Sequence, residues 1–484
     1  MLSVSSITLL LALGFSSPLS VEELNREITQ VLDRIAHPSS QISFKAVRLS
    51  TGTSITEHNT EELLIPASLQ KLFTTAAALH ALGTDHVFKL DLYATPPVEG
   101  TIQDGLTIRS DGDPWLIPER VWYIAQRLKH MGVRRINGDI IVDGTAFDGP
   151  HFAAGMEQDE SSSSYMAPAG ALSVGFNSVL VHVHPAPKLG LPAAVVVEPR
   201  SSEIVVRSKA TTEAHSRSRI QVDVQERSDG KNVVEVTGQI PIGSKPLGYW
   251  RRITQPDRHA GAVFIGILEE VGIEVNGIVQ RGKAPQEVEP LASFDSPDLL
   301  ELATKVNHYS NNFMAEQLVR ALGASITEGS GNWTSGREAM LNFTKNFLPA
   351  DVNAPIFGNA SGLHDVNKVS TSQTVELLDF MWKHPLRYDY LSTLPVSGRS
   401  GTLASRFENS TAIGKVRAKT GTLSIASGLA GYAFPTNDEP IAFSFVVNYY
   451  QRGIKEITTA QEEIAELLTR VDFSIPTVEQ ASNE

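Results

Sequence analysis

The sequence predicts a mixed α/β (α+β) fold built as one discontinuous domain with a large β-rich insertion. Three observations predict it. Residues 21–87 carry an amphipathic helix, two strand patterns and a second helix. The same helix-and-strand texture returns from about residue 250 to 484, and short strands separated by turns dominate residues 88–249. At 484 residues the chain has room for about three ordinary domains. Three domains in sequence would leave 21–87 too short to bury a core of its own. The expectation is therefore that 21–87 and 250–484 fold together, with 88–249 inserted as two subdomains.

The elements follow in order. Ile7 to Phe15 is a short apolar run followed by Ser16, Ser17, Pro18 and Ser20. It is too short to cross a bilayer and has the form of a secretory signal peptide over residues 1–20. Leu24, Ile28, Val31, Leu32 and Ile35 recur at helical spacing over 21–36. Ile42–Leu49 and Gly52–His58 read as strands joined by a Ser-Thr-Gly turn. From Leu69, the residues Leu69, Leu72, Phe73, Ala76 and Leu79 mark an apolar helix that Gly83 ends. In the insertion, strands are expected at 88–94, 106–109, 138–142, 179–183, 194–198, 204–206, 220–224 and 233–237, with one helix near 118–131. Helices are expected again at 259–271, at 297–323 with a break near 307–312, and at 372–382. Val416–Leu423, Gly428–Phe434 and Ile441–Tyr449 alternate with period two and read as consecutive antiparallel strands; 454–471 closes the chain as a helix.

Net charge of -13, a pI near 5.5 and no Lys/Arg-rich run argue against a nucleic-acid partner. With no cysteine, the chain has neither a disulfide framework nor thiol chemistry. No further stretch is apolar enough to cross a membrane, so no transmembrane anchor is expected. His182-x-His184 puts two imidazoles on one strand face, but no third ligand stands at a metal-binding spacing, and ordinary strand residues are the reading.

Three short motifs carry chemistry. Ser68 opens the helix after Pro66, and Lys71 lies three residues on, so the amine and the hydroxyl share a face. A serine hydroxyl needs a neighbour to take its proton, and a lysine desolvated on an apolar helix can do so. Alone, Ser68 reads equally well as a helix cap. A second Ser-x-x-Lys, Ser228 to Lys231, sits in a polar turn with no helix behind it. Ser310-Asn311-Asn312 interrupts a helical run, while the similar Ser330-Gly331-Asn332 lies in a Gly-rich loop. Lys419, Thr420 and Thr422 gather a cation and two hydroxyls on one strand, which suits a carboxylate, and Gly421 removes a side chain where another backbone can approach.

In that order, Ser-x-x-Lys, Ser-x-Asn and Lys-Thr-Gly form the set found in penicillin-binding proteins and class A β-lactamases. From about residue 40 to 470 the chain resembles the D-alanyl-D-alanine carboxypeptidase/endopeptidase family of the penicillin-binding protein 4 type (peptidase family S13). Asp111 to Leu116, Ile136 to Asp143, Phe176-Asn177, Asn311 to Leu318 and Leu394 to Leu403 add to the resemblance. It implies the penicillin-recognising DD-peptidase/β-lactamase-like fold, an antiparallel sheet flanked by helices. Ser68 would be the acylated nucleophile, Lys71 its base and Ser310 a proton relay. Asn312, Lys419, Thr420 and Thr422 would bind substrate, and the backbone N–H groups of Ser68 and Thr422 would form the oxyanion hole. The resemblance further implies peptidoglycan peptides ending in D-Ala-D-Ala as substrates, β-lactams as inhibitors, a periplasmic location, and no metal or cofactor.

Two positions depart from the family. Asp365, in Asn359-Ala-Ser-Gly-Leu-His-Asp365, stands where an arginine is usual, with Lys368 nearby. The usual acidic partner in the insertion would fall near Glu160. The pocket for the stem-peptide side chain is therefore expected to differ. A β-lactamase or esterase on the same scaffold, and a non-catalytic muropeptide-binding protein, are the alternatives; the intact motifs argue against the last.

Overall fold

The computed structural model describes residues 17–157, 161–214, 217–327, 329–349, 353–436 and 439–475. The apolar run at 7–15 and Glu160 lie outside the described residues. The two ends of the chain meet in one sheet. Its five antiparallel strands run in the order Val416–Thr422, Ala426–Ala433, Ile441–Asn448, Gln41–Arg48 and Thr53–His58. Ala426–Ala433 and Ile441–Asn448 are buried at every residue, because helices cover both faces. Val21–Ile35 and Ile454–Leu468 close one face over Phe44, Phe443 and Phe445. Ser20 starts the first of these with a capping box to Glu23, and the expected Leu24, Ile28, Val31, Leu32, Ile35 stripe is its buried side.

The other face carries Thr371–Lys383 and, beyond it, a helical layer of Gln70–Leu82, Leu299–Tyr309 and Asn312–Ser325. The helix after Ser68 is buried around its whole circumference from Gln70 to Leu79. Its α-helical turns begin at Gln70, after a short 3₁₀ turn at Ala67–Leu69 that holds the serine. The expected break at 307–312 is two residues long. Ser310 ends one helix in the left-handed region, at φ 53° and ψ 38°, and Asn311 caps the next by accepting from Met314 N.

The insertion departs from the expected 88–249 boundary. It leaves at Phe88 and returns at Ser296: Ser296 N donates to Phe88 O at 2.8 Å, and Phe88 N donates to Ser296 Oγ at 2.9 Å. Residues 256–295 belong with it. Helix Pro256–Glu270 shares a core with helix Pro118–His130, and strands Val279–Arg281 and Ala292–Asp295 are the two edges of a five-stranded mixed sheet with Ile140–Asp143, Leu106–Ser110 and Lys89–Tyr93. The apolar face of 256–270 signals a helix but does not say which sheet it covers. A second core, around Val181, Val234 and Ile240, joins the smaller sheets of residues 178–252. On the opposite, part-exposed face of strand Ser178–His184, His182 and His184 stand side by side, and His182 Nε2 pairs with Glu198 at 3.2 Å.

One segment of the insertion turns back onto the helical layer. Arg320, only 1% exposed, donates to Ala169 O at 2.8 Å and Asp148 O at 2.6 Å, and its guanidinium lies 4.8 Å from the Phe147 ring and 5.0 Å from that of Trp333. Such bonds from a charged donor are worth roughly 1.5–3 kcal/mol each, and removing the donor strands buried carbonyls. Arg320→Ala should therefore cost about 3 kcal/mol or more, lower the melting temperature and expose residues 144–171 to protease. Unchanged melting and digestion would show that this segment is held by something else.

Candidate active site

Two buried ammonium groups organise the cleft between the helical layer and the strand Val416–Thr422. Lys71 Nζ donates to Ser68 Oγ at 3.0 Å, to Asn312 Oδ1 at 2.7 Å and to Ser361 O at 2.7 Å. Three donors therefore meet three acceptors in a tripod that fixes the amine beside the serine. Lys419 Nζ donates to Ser310 Oγ at 2.9 Å and to its neighbour's carbonyl, Thr420 O, at 2.7 Å. Both lysines are fully buried, whereas Ser68, Ser310 and Asn312 are partly exposed to the cleft. The hydroxyls thus face solvent and the amines stand behind them.

Burial lowers the Lys71 pKa to about 7, with the charge of Glu316 acting against the shift. Lys419 is pushed well below its ordinary value, first by burial and then by the charge on Lys71. Glu316 itself is 1% exposed, and burial raises its pKa. Its two oxygens accept from Ala360 N at 3.1 Å and Ser361 N at 2.9 Å. Glu316 thereby holds by its N–H the residue whose carbonyl accepts from Lys71.

The strand approaches Ser68 through its glycine. A Cβ on Gly421 would lie 2.9 Å from Pro66 O and 3.0 Å from Ser68 N. Behind the serine, a Cβ on Gly362 would fall 1.8 Å from Ala67 O, and Gly362 has φ +78°. Ala67 is itself held at φ 48°, which costs a non-glycine residue roughly 1–2 kcal/mol, so surrounding contacts impose the serine's position.

Of the residues singled out in the sequence, Ser68, Lys71 and Asn312 form one hydrogen-bonded cluster and Ser310 and Lys419 a second. Thr420 Oγ1 bonds Thr402 Oγ1 at 2.8 Å, and Thr422 lies exposed at the strand's end, outside both clusters. Asn312 Nδ2 donates to Tyr165 O at 3.1 Å, so a residue of the insertion forms part of the cleft wall. Asp365 is exposed, and Lys368 pairs across an antiparallel bridge with Ile356. Ser228 stays in a turn, and Asn332 caps the helix Trp333–Thr344. Sequence reasoning missed Glu316, Ser361 and Thr402. Glu316 follows Asn312 by four residues and so shares its helix face, a signal present in the sequence.

Comparisons with known proteins place the chain in a family. A family described as D-Ala-D-Ala carboxypeptidase 3 (S13) matches residues 24–471. A D-alanyl-D-alanine carboxypeptidase of Actinomadura sp. (strain R39) is 33% identical over 453 residues, covering 90% of this chain and 83% of the relative. The crystal structure of penicillin-binding protein 4 (dacB) from Haemophilus influenzae superposes with a TM-score of 0.79 at 23% identity, covering 91% of this chain and 99% of that one. The same Haemophilus protein complexed with a β-lactam gives 0.74 at 24% identity, covering 90% and 98%. A match that spans nearly the whole chain, together with a relative one-third identical over nine-tenths of it, establishes that the chain belongs to the D-Ala-D-Ala carboxypeptidase (S13) family.

Proposed function

We propose that the protein is a serine-type D-alanyl-D-alanine carboxypeptidase acting on peptidoglycan stem peptides through an acyl-enzyme on Ser68. The observation that carries this reading is the Lys71 amine, 3.0 Å from Ser68 Oγ, with a pKa near 7. An amine of that pKa is about half free base at neutral pH, and that form can accept the serine proton. Ser68 Oγ attacks the carbonyl carbon between the two D-alanines, and its proton moves to Lys71 Nζ. The oxyanion points at the N–H groups of Ser68 and Thr422, where each donor is typically worth about 3–4 kcal/mol. Gly421, close against Ser68 N, supports that pairing.

The tetrahedral carbon then expels the amine of the last D-alanine, which takes a proton from Ser310 Oγ. Lys419 and Lys71 restore that proton. Lys419, with Thr420 and Thr422, supplies the positive, hydroxyl-rich wall for the terminal carboxylate. Asn312 holds Lys71 in place and lies where a substrate amide can bond. Water attacks the ester, the C–O bond to Ser68 breaks, and the serine recovers its proton. DD-endopeptidase activity is the second part of the proposal: the acyl donor is the same D-alanyl carbonyl, and only the leaving amine changes, from free D-alanine to a cross-linked side chain. β-Lactams would acylate the same oxygen. Such a substrate places the enzyme outside the cytoplasmic membrane. Export to the periplasm by residues 1–20 fits this, and no helix among the described residues is long and apolar enough to cross a membrane.

Fluorescent penicillin should label the protein at Ser68. Ser68→Ala should lose both the label and D-alanine release, and retained release would refute the assignment. The label on the wild type should persist for minutes or longer; rapid turnover would point to a β-lactamase instead. Because the lysine must be neutral to act as base, the acylation rate should rise with pH through a midpoint near 7 and then level. Glu316 favours the charged form of Lys71, so Glu316→Gln should move that midpoint to lower pH. A stopped-flow pH profile reads both; a flat wild-type profile from pH 6 to 8 would exclude Lys71 as the titrating base.

A further inference from the structure

A large cavity lies apart from the Ser68 cluster. It measures about 960 Å³ and opens between the two cores of the insertion, where the start of helix Pro118–His130 and the end of helix Pro256–Glu270 face the sheet of Ser178–His184, Ala194–Glu198 and Leu247–Arg252. Its walls hold Trp115, Trp122 and Trp250, three of the chain's five tryptophans. Trp122 and Trp250 are 51% and 53% exposed, an unusual state for two large apolar rings on one cavity. Among the lining side chains, Glu119, Glu198 and Glu270 outnumber the single cation, Arg200.

This cavity shares part of its wall with a hollow beside Ser310 and Asn312. That hollow, of about 340 Å³, is also lined by Tyr165, and it shares Phe176, Ser178 and Trp250 with the large one. Phe176 lines both. Its ring stands 5.2 Å from that of Trp115 and 6.0 Å from that of Phe313, the residue after Asn312. The backbone is forced to put it there: Gly175, Phe176 and Asn177 all have positive φ, and for a bulky phenylalanine that is a strained state. Buried Asn177 pins the turn, donating from Nδ2 to Pro168 O at 2.6 Å and to Ser173 Oγ at 2.9 Å.

From this geometry we infer that the cavity is a saccharide subsite, which binds the amino-sugar backbone of peptidoglycan while a stem peptide enters the catalytic cleft. The inference rests on the proposed function for its choice of polymer. A pyranose ring has apolar C–H faces and a rim of hydroxyls. Its C–H groups carry partial positive charge and stack on the electron-rich faces of indole rings. Carboxylates accept from the hydroxyls. The acidic rim disfavours an anionic lipid or a second peptide carboxylate. An extended stem of four residues spans roughly 13–14 Å between sugar and scissile bond.

Calorimetric titration with a peptide-free tetramer of N-acetylglucosamine tests the subsite on the full chain. Saturable binding is expected, about tenfold weaker in Trp122→Ala and in Trp250→Ala, each first checked by its melting curve. Ser68→Ala should bind like the wild type, because no acyl transfer is involved. Failure of peptide hydrolysis would thus count against the Ser68 chemistry without altering this titration. No saturable heat up to about 10 mM sugar, or equal binding by the wild type and both tryptophan variants, would overturn the inference.

Discussion

An ammonium group removed from water and met on every side by an oxygen is the constraint around which this molecule is arranged. Lys71 sits on a helix with no solvent face, so its charge survives only if partners are brought to it. They come from three places in the sequence: Ser68 one turn before it, Asn312 at the start of a distant helix, and the Ser361 carbonyl in a loop. The same burial that makes those partners necessary brings the amine's pKa to the range in which it can give and take a proton. Structural requirement and chemical use are one fact.

The surrounding architecture serves that placement. The sheet joins the first and last thirds of the chain, so the strand bearing Lys419 and the turn bearing Ser68 are held by common neighbours. Glycines at 421 and 362 let strand and loop close on the serine from two sides. Glu316, buried one turn beyond Asn312, ties down the loop that completes the tripod. The insertion adds Tyr165 to the wall, and its Phe176 also lines a separate aromatic chamber.

Much of this could be read from the residues. Ser68 and Lys71 at helical spacing, Ser310 in a break between helical runs, and Lys419 on a period-two strand are local patterns, and local patterns survive in sequence. The helix Trp333–Thr344 escaped because its apolar positions are few and its start resembles a Gly-rich loop. The limit of the insertion escaped because strands such as Val279–Arg281 have three residues and pair in parallel with a partner some 140 positions earlier. The Ser361 carbonyl could not be read at all: a backbone acceptor leaves no letter. The stretch from Asn359 to Asp365 looked notable for its missing arginine, yet its larger part is to carry that carbonyl.

The paired bonds between Phe88 and Ser296 have a mechanical meaning. A module joined to its host at one crossing can swing about it like a door. Here a further attachment, the Arg320 guanidinium bonded to the carbonyls of Asp148, Pro150 and Ala169, adds to that crossing. Several fastenings, the Asn312–Tyr165 bond among them, remove the rotation that one would leave. The tryptophan chamber is thereby given a fixed bearing on the helical layer, a standing wall rather than a jaw that must close.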